Sequence, residues 1–203
     1  MAILAGGRNR RFNGRIKALL PWKGKTLIRH QIDIFSDLTG DLMVITHHPE
    51  LLNLPGTPMY KDILPGGGPL SGIHAALHNA TCSHTLVVAC DMPFVSPQVI
   101  TELITASAQH PHLVIAPTHA KGVETLFSLW PATILSTLDK WLKEDQSKRI
   151  LDFLEHHLCL FKMKTETNPN SFTNINTAKD LELASAISQN VQHNQHNNDV
   201  VKD

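Results

Sequence analysis

Short apolar runs alternate with stretches in which apolar residues recur every three or four positions. That alternation predicts βαβ units around a mostly parallel sheet. Ala2 to Ala5 is the first run, a short strand that enters Gly6 and Gly7 at once. From Lys25 to Leu38 the apolar positions Leu27, Ile28, Ile32, Ile34, Phe35 and Leu38 follow helical spacing, and Asp41 to Thr46 reads as a buried strand. A short strand is expected at Pro58 to Lys61, then a glycine-rich loop from Pro65 to Pro69 and a helix from Leu70 to Asn79. Thr85 to Ala89 is the strongest strand signal, and Ser96-Pro97 then reads as an N-cap with proline in the first helical turn. Strands are expected at His112 to Ala116 and Leu126 to Trp130, and helices at Pro131 to Leu142 and from Ile150 to near His157. From Ser188 onward the chain holds too few apolar residues to pack, so 1–187 is expected to form one domain and 188–203 a disordered polar tail.

A length of 203 residues suits a single α/β domain with a sizeable core. Its 18 basic and 18 acidic residues balance, so no global field favours nucleic acid or membrane, and neither is expected as a partner. Any anion site must come from local clustering. The segment after Gly6-Gly7 supplies it, with Arg8, Arg10, Arg11, Arg15 and Lys17 close together. Glycines let the backbone approach an anion, free N–H groups donate to it, and the cations neutralise it, so the loop reads as a phosphate site. Cys82, Cys90 and Cys159 form no CxxC pair, which argues for reduced thiols over a disulfide framework or a zinc knuckle. With no run long enough to span a bilayer and no leader pattern, a cytoplasmic location is expected.

Two carboxylates carry candidate chemistry. Asp91 follows the strongest strand, where ligands of open α/β sheets gather, and is placed either to hold Mg²⁺ against a triphosphate or to cap the next turn. Asp62 follows its own strand and is either a second site acid or a solvated turn residue. The Pro65–Pro69 loop is either a flexible connection or a backbone surface that packs on a base or ribose. Lys17 and Arg11 are candidate phosphate ligands from a returning loop. The glycine pattern is neither GxxxxGK[ST] nor GxGxxG, and the thirteen histidines form no HExxH or Cys/His set.

The ordered set is more specific than any member. It runs LAGG at Leu4 to Gly7, Arg10-Arg11, Lys17 before Ala-Leu-Leu, Asp62, GPLSGI at Gly68 to Ile73, CDMPF at Cys90 to Phe94, Leu129 to Pro131, and FTNINTAKDLE at Phe172 to Glu182. In this order and spacing the chain resembles the molybdenum cofactor guanylyltransferases of the MobA type over residues 2–185. The resemblance implies a Rossmann-like three-layer α/β sandwich of the nucleotide-diphospho-sugar transferase kind. It implies transfer of GMP from GTP to molybdenum-molybdopterin, giving the guanine dinucleotide cofactor and pyrophosphate. Mg²⁺ is the implied cofactor, with Asp91 its ligand. Carried over by position, Leu4, Ala5, Gly6 and Gly7 meet the nucleotide, Lys17 and Arg11 the phosphates, and Asp62 the nucleoside side; Thr46 and Gly68 complete the nucleotide wall. Asn174 and Asn176 match an NxNT segment on the pterin side. Molybdenum-insertion proteins and molybdoenzyme chaperones are the implied protein partners.

Three departures mark this chain: Phe12-Asn13 where Met-Gly is common, Ile16 where an acid often precedes the lysine, and Glu124-Thr125 in place of a His-Pro pair. Two alternatives stand beside the guanylyltransferase reading. Cytidylyltransferases acting on the same pterin usually read LAAG, so Gly6 favours guanine. A noncatalytic member that binds nucleotide or pterin is opposed by the intact Lys17, Asp62 and Asp91.

Overall fold

A computed structural model describes residues 1–6, 16–120, 122–144, 146–165 and 169–199, with side chains of the last helix described as far as Ser188. Among these residues the strands are β1 (Ala2–Leu4), β2 (Pro21–Trp22), β3 (Lys25–Thr26), β4 (Met43–Ile45), β5 (Met59–Tyr60), β6 (His84–Ala89), β7 (Val114–His119), β8 (Gly122–Val123), β9 (Phe127–Pro131) and β10 (Leu160–Lys164). The α-helices are α1 (Leu27–Ser36), α2 (Pro49–Leu52), α3 (Pro69–Asn79), α4 (Pro97–Gln109), α5 (Leu135–Lys143), α6 (Ile150–His156) and α7 (Ala178–Asp199). The main sheet runs β10-β7-β9-β6-β1-β4-β5, with β8 beside β7. β1 pairs in parallel with both β4 and β6, and β4 in parallel with β5. β9 alone runs against its neighbours β6 and β7 within that seven-strand path.

Alternation along the strands builds two cores. In β1, Ile3 joins Ile28, Ile32 and Phe35 of α1 and Val99 and Leu103 of α4 on one face. Ala2 and Leu4 join Leu70 and Ile73 of α3, Trp141 of α5 and Phe153 of α6 on the other. Helices therefore cover both faces, which gives the expected three layers and explains why the inner strands are apolar throughout. From β1 the chain winds outward through β4 and β5, then returns to place β6 on the far side of β1. The reversal opens a crevice at the carboxyl ends of β1, β4 and β6.

Some local features differ from the expectation, among them the start of α1 and the strand β10. Helix α1 starts at Leu27, not Lys25, because Lys25–Thr26 pairs with Pro21–Trp22. Lys23 (φ 48°) and Gly24 (φ 76°) both take the left-handed turn that a two-residue hairpin needs. Thr26 then caps α1 by accepting from the Arg29 N–H. Strand β10 had no strong apolar signal because it is an edge strand with Lys162 and Lys164 exposed. The α7 backbone continues past residue 187 to Asp199, and no glycine or proline interrupts it. No helix among the described residues is long and apolar enough to cross a membrane.

Helix α6 ends in a Schellman motif, with Leu158 N–H on Glu155 O (3.2 Å) and Cys159 N–H on Leu154 O (3.1 Å). The left-handed position, usually glycine, is Leu158 (φ 50°), whose side chain is 86% exposed. Replacing it removes backbone strain and loses almost no burial. Leu158→Gly should raise unfolding stability by about 0.5–1 kcal/mol in urea melts; a fall in stability contradicts this account of the turn.

Candidate functional site

The crevice opens into a cleft of about 980 Å³, a size that accommodates a nucleotide-scale ligand. Leu4, Ala5 and Gly6 leave β1 along its floor, Ile45, His47 and His48 leave β4 on one side, and Ala89, Cys90 and Asp91 leave β6 on the other. Asp62, Gly66 and Gly68 close the β4 side, and Lys17 enters from a 3-10 turn, Lys17–Leu19. Of the residues expected from sequence, Leu4, Ala5, Gly6, Lys17, Asp62, Gly68 and Asp91 line this one cleft. Gly7 and Arg11 lie outside the described residues.

Lys17 Nζ stands 2.5 Å from Asp91 Oδ2 and donates to Asn176 Oδ1 at 2.9 Å. Three segments far apart in sequence thus meet at one ammonium. Lys17 and Asp91 are only 17% and 15% exposed, so their attraction is screened less than that of a surface pair. Asp91 O also accepts from the Ile175 N–H at 2.9 Å, which docks the Asn174–Asn176 segment on the turn after β6. A capping box fixes the far end of that segment: Asp180 accepts from the Asn176 and Thr177 N–H groups while Thr177 Oγ1 accepts from Asp180 N–H. Asn176 is therefore at the lysine, while Asn174 Oδ1 is buried with no partner among the described residues.

Asp91 Oδ1 is likewise buried without a partner among the described residues. Among the described residues no group of three or more His, Cys, Asp or Glu side chains gathers to hold a metal. A single carboxylate with a spare oxygen fits Mg²⁺, which is commonly held by one or two carboxylates together with substrate phosphates. Cys90, beside Asp91, is not a nucleophile at neutral pH, because burial and then the Asp91 charge push its thiol up to about 12.

On the opposite wall, His47 Nε2 lies 3.6 Å from Asp62 Oδ2. Burial raises the Asp62 carboxyl above its ordinary value, opposed by His47 and then His74. The His47 ring also packs on Gly6, where an added Cβ would stand 3.2 Å from Cδ2 and 3.3 Å from Nε2. A methyl at position 6 would press on the atom that faces Asp62. Thr46, expected on this wall, is buried; its Oγ1 accepts from the His48 N–H and its own N–H donates to Tyr60 O. His47 and His48, which follow it, line the cleft instead. Their signal in sequence was position alone, directly after a strand.

The Pro65–Pro69 loop is closed, not a flexible connection. Ser71 Oγ accepts from the Gly67 N–H at 2.9 Å and donates to Leu64 O. A Cβ on Gly67 would stand 2.4 Å from Leu142 Cδ2, and Gly66 (φ 100°) and Gly68 (φ 61°) take conformations that side chains rarely adopt.

A crevice at a strand-order reversal, with lysine, carboxylate and glycine backbone on its walls, defines a nucleotide-handling α/β protein of the nucleotidyltransferase class. The family model for the MobA-like NTP transferase domain matches residues 1–158, and the chain belongs to that family. It is 32% identical over 195 residues to a probable molybdenum cofactor guanylyltransferase of Pelotomaculum thermopropionicum, covering 93% of this chain and 92% of that one. It is 28% identical to the molybdenum cofactor guanylyltransferase of Mesorhizobium japonicum, covering 93% and 95% of the two chains. Among solved structures it resembles molybdopterin-guanine dinucleotide biosynthesis protein A of Archaeoglobus fulgidus, with TM-score 0.81, 27% identity and coverage of 93% and 98%. The 2-C-methyl-D-erythritol 4-phosphate cytidylyltransferase of Thermus thermophilus shares the fold, with TM-score 0.70 at 15% identity over 93% and 98% of the chains.

Glu124, one of the departures, carries the largest carboxylate shift of the region. Burial pushes it up to about 7 from 4.5, helped by the Asp91 charge and opposed by a backbone hydrogen bond from Leu126. His119 Nε2 lies 3.8 Å from its Oε2. The folded chain keeps a proton that the unfolded chain releases, so this group's contribution to stability falls as pH rises from about 4.5 through about 7. Glu124→Gln should match the wild type in urea melts at pH 4 and exceed it by ~1–3 kcal/mol at pH 8. A difference that is equal at both pH values contradicts the burial of this carboxyl.

Proposed function

We propose that the chain transfers GMP from GTP to molybdenum-molybdopterin, forming the guanine dinucleotide cofactor and releasing pyrophosphate. The observation that carries the reading is the meeting of Lys17, Asp91 and Asn176 at the mouth of the β1–β6 crevice. The names of the relatives agree with it, and Gly6 belongs to the LAGG pattern associated with guanine. In the reaction a terminal phosphate oxygen of the pterin attacks the α-phosphorus of GTP. The new P–O bond forms as the bond to the β-phosphate breaks, and the electron pair leaves with pyrophosphate.

No protein nucleophile is needed, so the residues act by position and charge. Lys17, already aligned by Asp91 and Asn176, would neutralise the triphosphate as a fixed ammonium, with no reorganisation required when the nucleotide arrives. The Gly6 backbone at the end of β1, which lines the cleft, would face the phosphates. Asp91 would hold Mg²⁺ through Oδ1, which has no partner among the described residues. When bound, that ion spreads the charge that develops on the phosphate oxygens. Asp62 and His47 would face the nucleoside end.

The test is pyrophosphate release with each NTP, Mg²⁺ and molybdenum-loaded molybdopterin. Turnover with GTP alone supports the proposal; preference for CTP would make the chain a cytidylyltransferase, and none with any NTP would leave a binding protein. In the same assay Asp91→Asn should lower kcat by about 10²–10³-fold while the melting temperature stays within a few degrees of wild type. A variant with near-normal kcat would remove Asp91 from the chemistry.

A further inference from the structure

Gln31 sits on the buried face of α1 with no exposed surface, flanked in the helix by the core residues Ile28, Ile32 and Phe35. Its single amide nitrogen donates to Ala89 O at 2.9 Å and to Met92 O at 3.0 Å. Those two carbonyls bracket Cys90 and Asp91, so one nitrogen closes the turn that carries the carboxylate. Gln31 Oε1, by contrast, is buried with no partner among the described residues. An apolar side chain would fill this position without an unsatisfied acceptor, and burying a polar group is unfavourable unless its hydrogen bonds are made. What the amide supplies that an apolar residue cannot is its pair of N–H groups.

The surrounding contacts point the same way. His30, next to Gln31, has Nε2 3.2 Å from Pro93 O, so α1 reaches a third carbonyl of the same loop. From the opposite side Ile175 N–H holds Asp91 O. The Cys90 N–H donates to Leu4 O at 3.1 Å and ties the turn to β1. With its backbone gripped from α1, β1 and the Ile175 segment, the turn gives Asp91 one direction in which to present its carboxylate to Lys17.

We propose that Gln31 is a positioning residue for Asp91, acting through the Ala89 and Met92 carbonyls to hold the carboxylate where it meets Lys17 and the substrate phosphates. The kinetic part rests on the GMP-transfer reading above; the structural part does not. Misplacement of a reacting group by about 1 Å is enough to cost on the order of 10²-fold in rate. Gln31 lines no part of the cleft, so it should leave nucleotide binding almost untouched.

The test uses the full-length protein carrying Gln31→Leu, with Gln31→Met, unbranched and close in volume, measured beside it in case the branched side chain prevents folding. Leu138→Ala, on α5 in the opposite core, serves as a control for general loss of stability. Two readouts are taken: steady-state GMP transfer, and hydrogen exchange at the Ile175 amide against the Val44 amide, which bonds Pro58 O inside the sheet. The proposal expects kcat to fall about 10–100-fold with KM for GTP within about threefold, and Ile175 exchange to speed up at least tenfold while Val44 is unchanged. It is overturned if kcat and Ile175 exchange both stay at wild-type values, or if both amides and both kinetic constants change only as far as in Leu138→Ala. If wild type transfers no GMP yet Ile175 exchange responds selectively, the functional reading fails and the clamp on the Asp91 turn stands.

Discussion

The ion pair between Lys17 and Asp91 is the constraint around which the site is arranged. A lysine and an aspartate largely removed from water are favourable only if each finds its partner in good geometry. Here that geometry requires the segment after β1, the turn after β6 and the segment before α7 to converge. A small satellite core enforces the convergence. Leu20 and Trp22 come from the lysine's segment, Leu27 from α1, Ile175 from the asparagine segment and Ala184 from α7. Phe94, just beyond Asp91, packs edge-on against Trp22 with ring centroids 5.5 Å apart. Apolar burial between these pieces thus offsets the cost of gathering polar groups that would otherwise stay in water.

The two walls of the cleft have different characters. The β6 wall is rigid and charged, with Asp91 held through backbone and side chain alike. The β4 wall is built by contact: Gly6 gives room to the His47 ring, and His47 in turn faces Asp62. This division suits a transfer reaction, in which phosphates must be fixed while a nucleoside is sorted by shape and hydrogen bonding. It also gives Gly6 a physical role beyond a permissive backbone, since a Cβ there would press on the imidazole.

Much of this was legible in the sequence because it depended on local rules. Apolar runs followed by Gly6, Asp62 and Asp91 placed three strand ends to within a residue, and the helical spacing within Lys25–Leu38 and Leu70–Asn79 corresponds to α1 and α3. Direction and pairing are set by long-range contacts, so the reversed β9 gave no separate signal: Phe127–Pro131 is apolar because both its faces are covered, whichever way it runs. The Lys23-Gly24 hairpin was hidden because the apolar periodicity of α1 begins immediately after it. Gln31 reads locally as one polar residue in an amphipathic helix, and only the packing of α1 on the β6 turn shows what its amide holds. Thr46 shows the converse: a residue matched by position that spends its hydroxyl on its own turn, leaving the cleft to His47.

If Lys17 and Asp91 act as one unit in nucleotidyl transfer, a double-mutant cycle on kcat shows it. Lys17→Met, Asp91→Asn and the double variant are compared in GTP-dependent pyrophosphate release. Strong non-additivity is expected, with the double variant losing no more than about the larger of the two single losses. Losses that multiply as independent factors would contradict it.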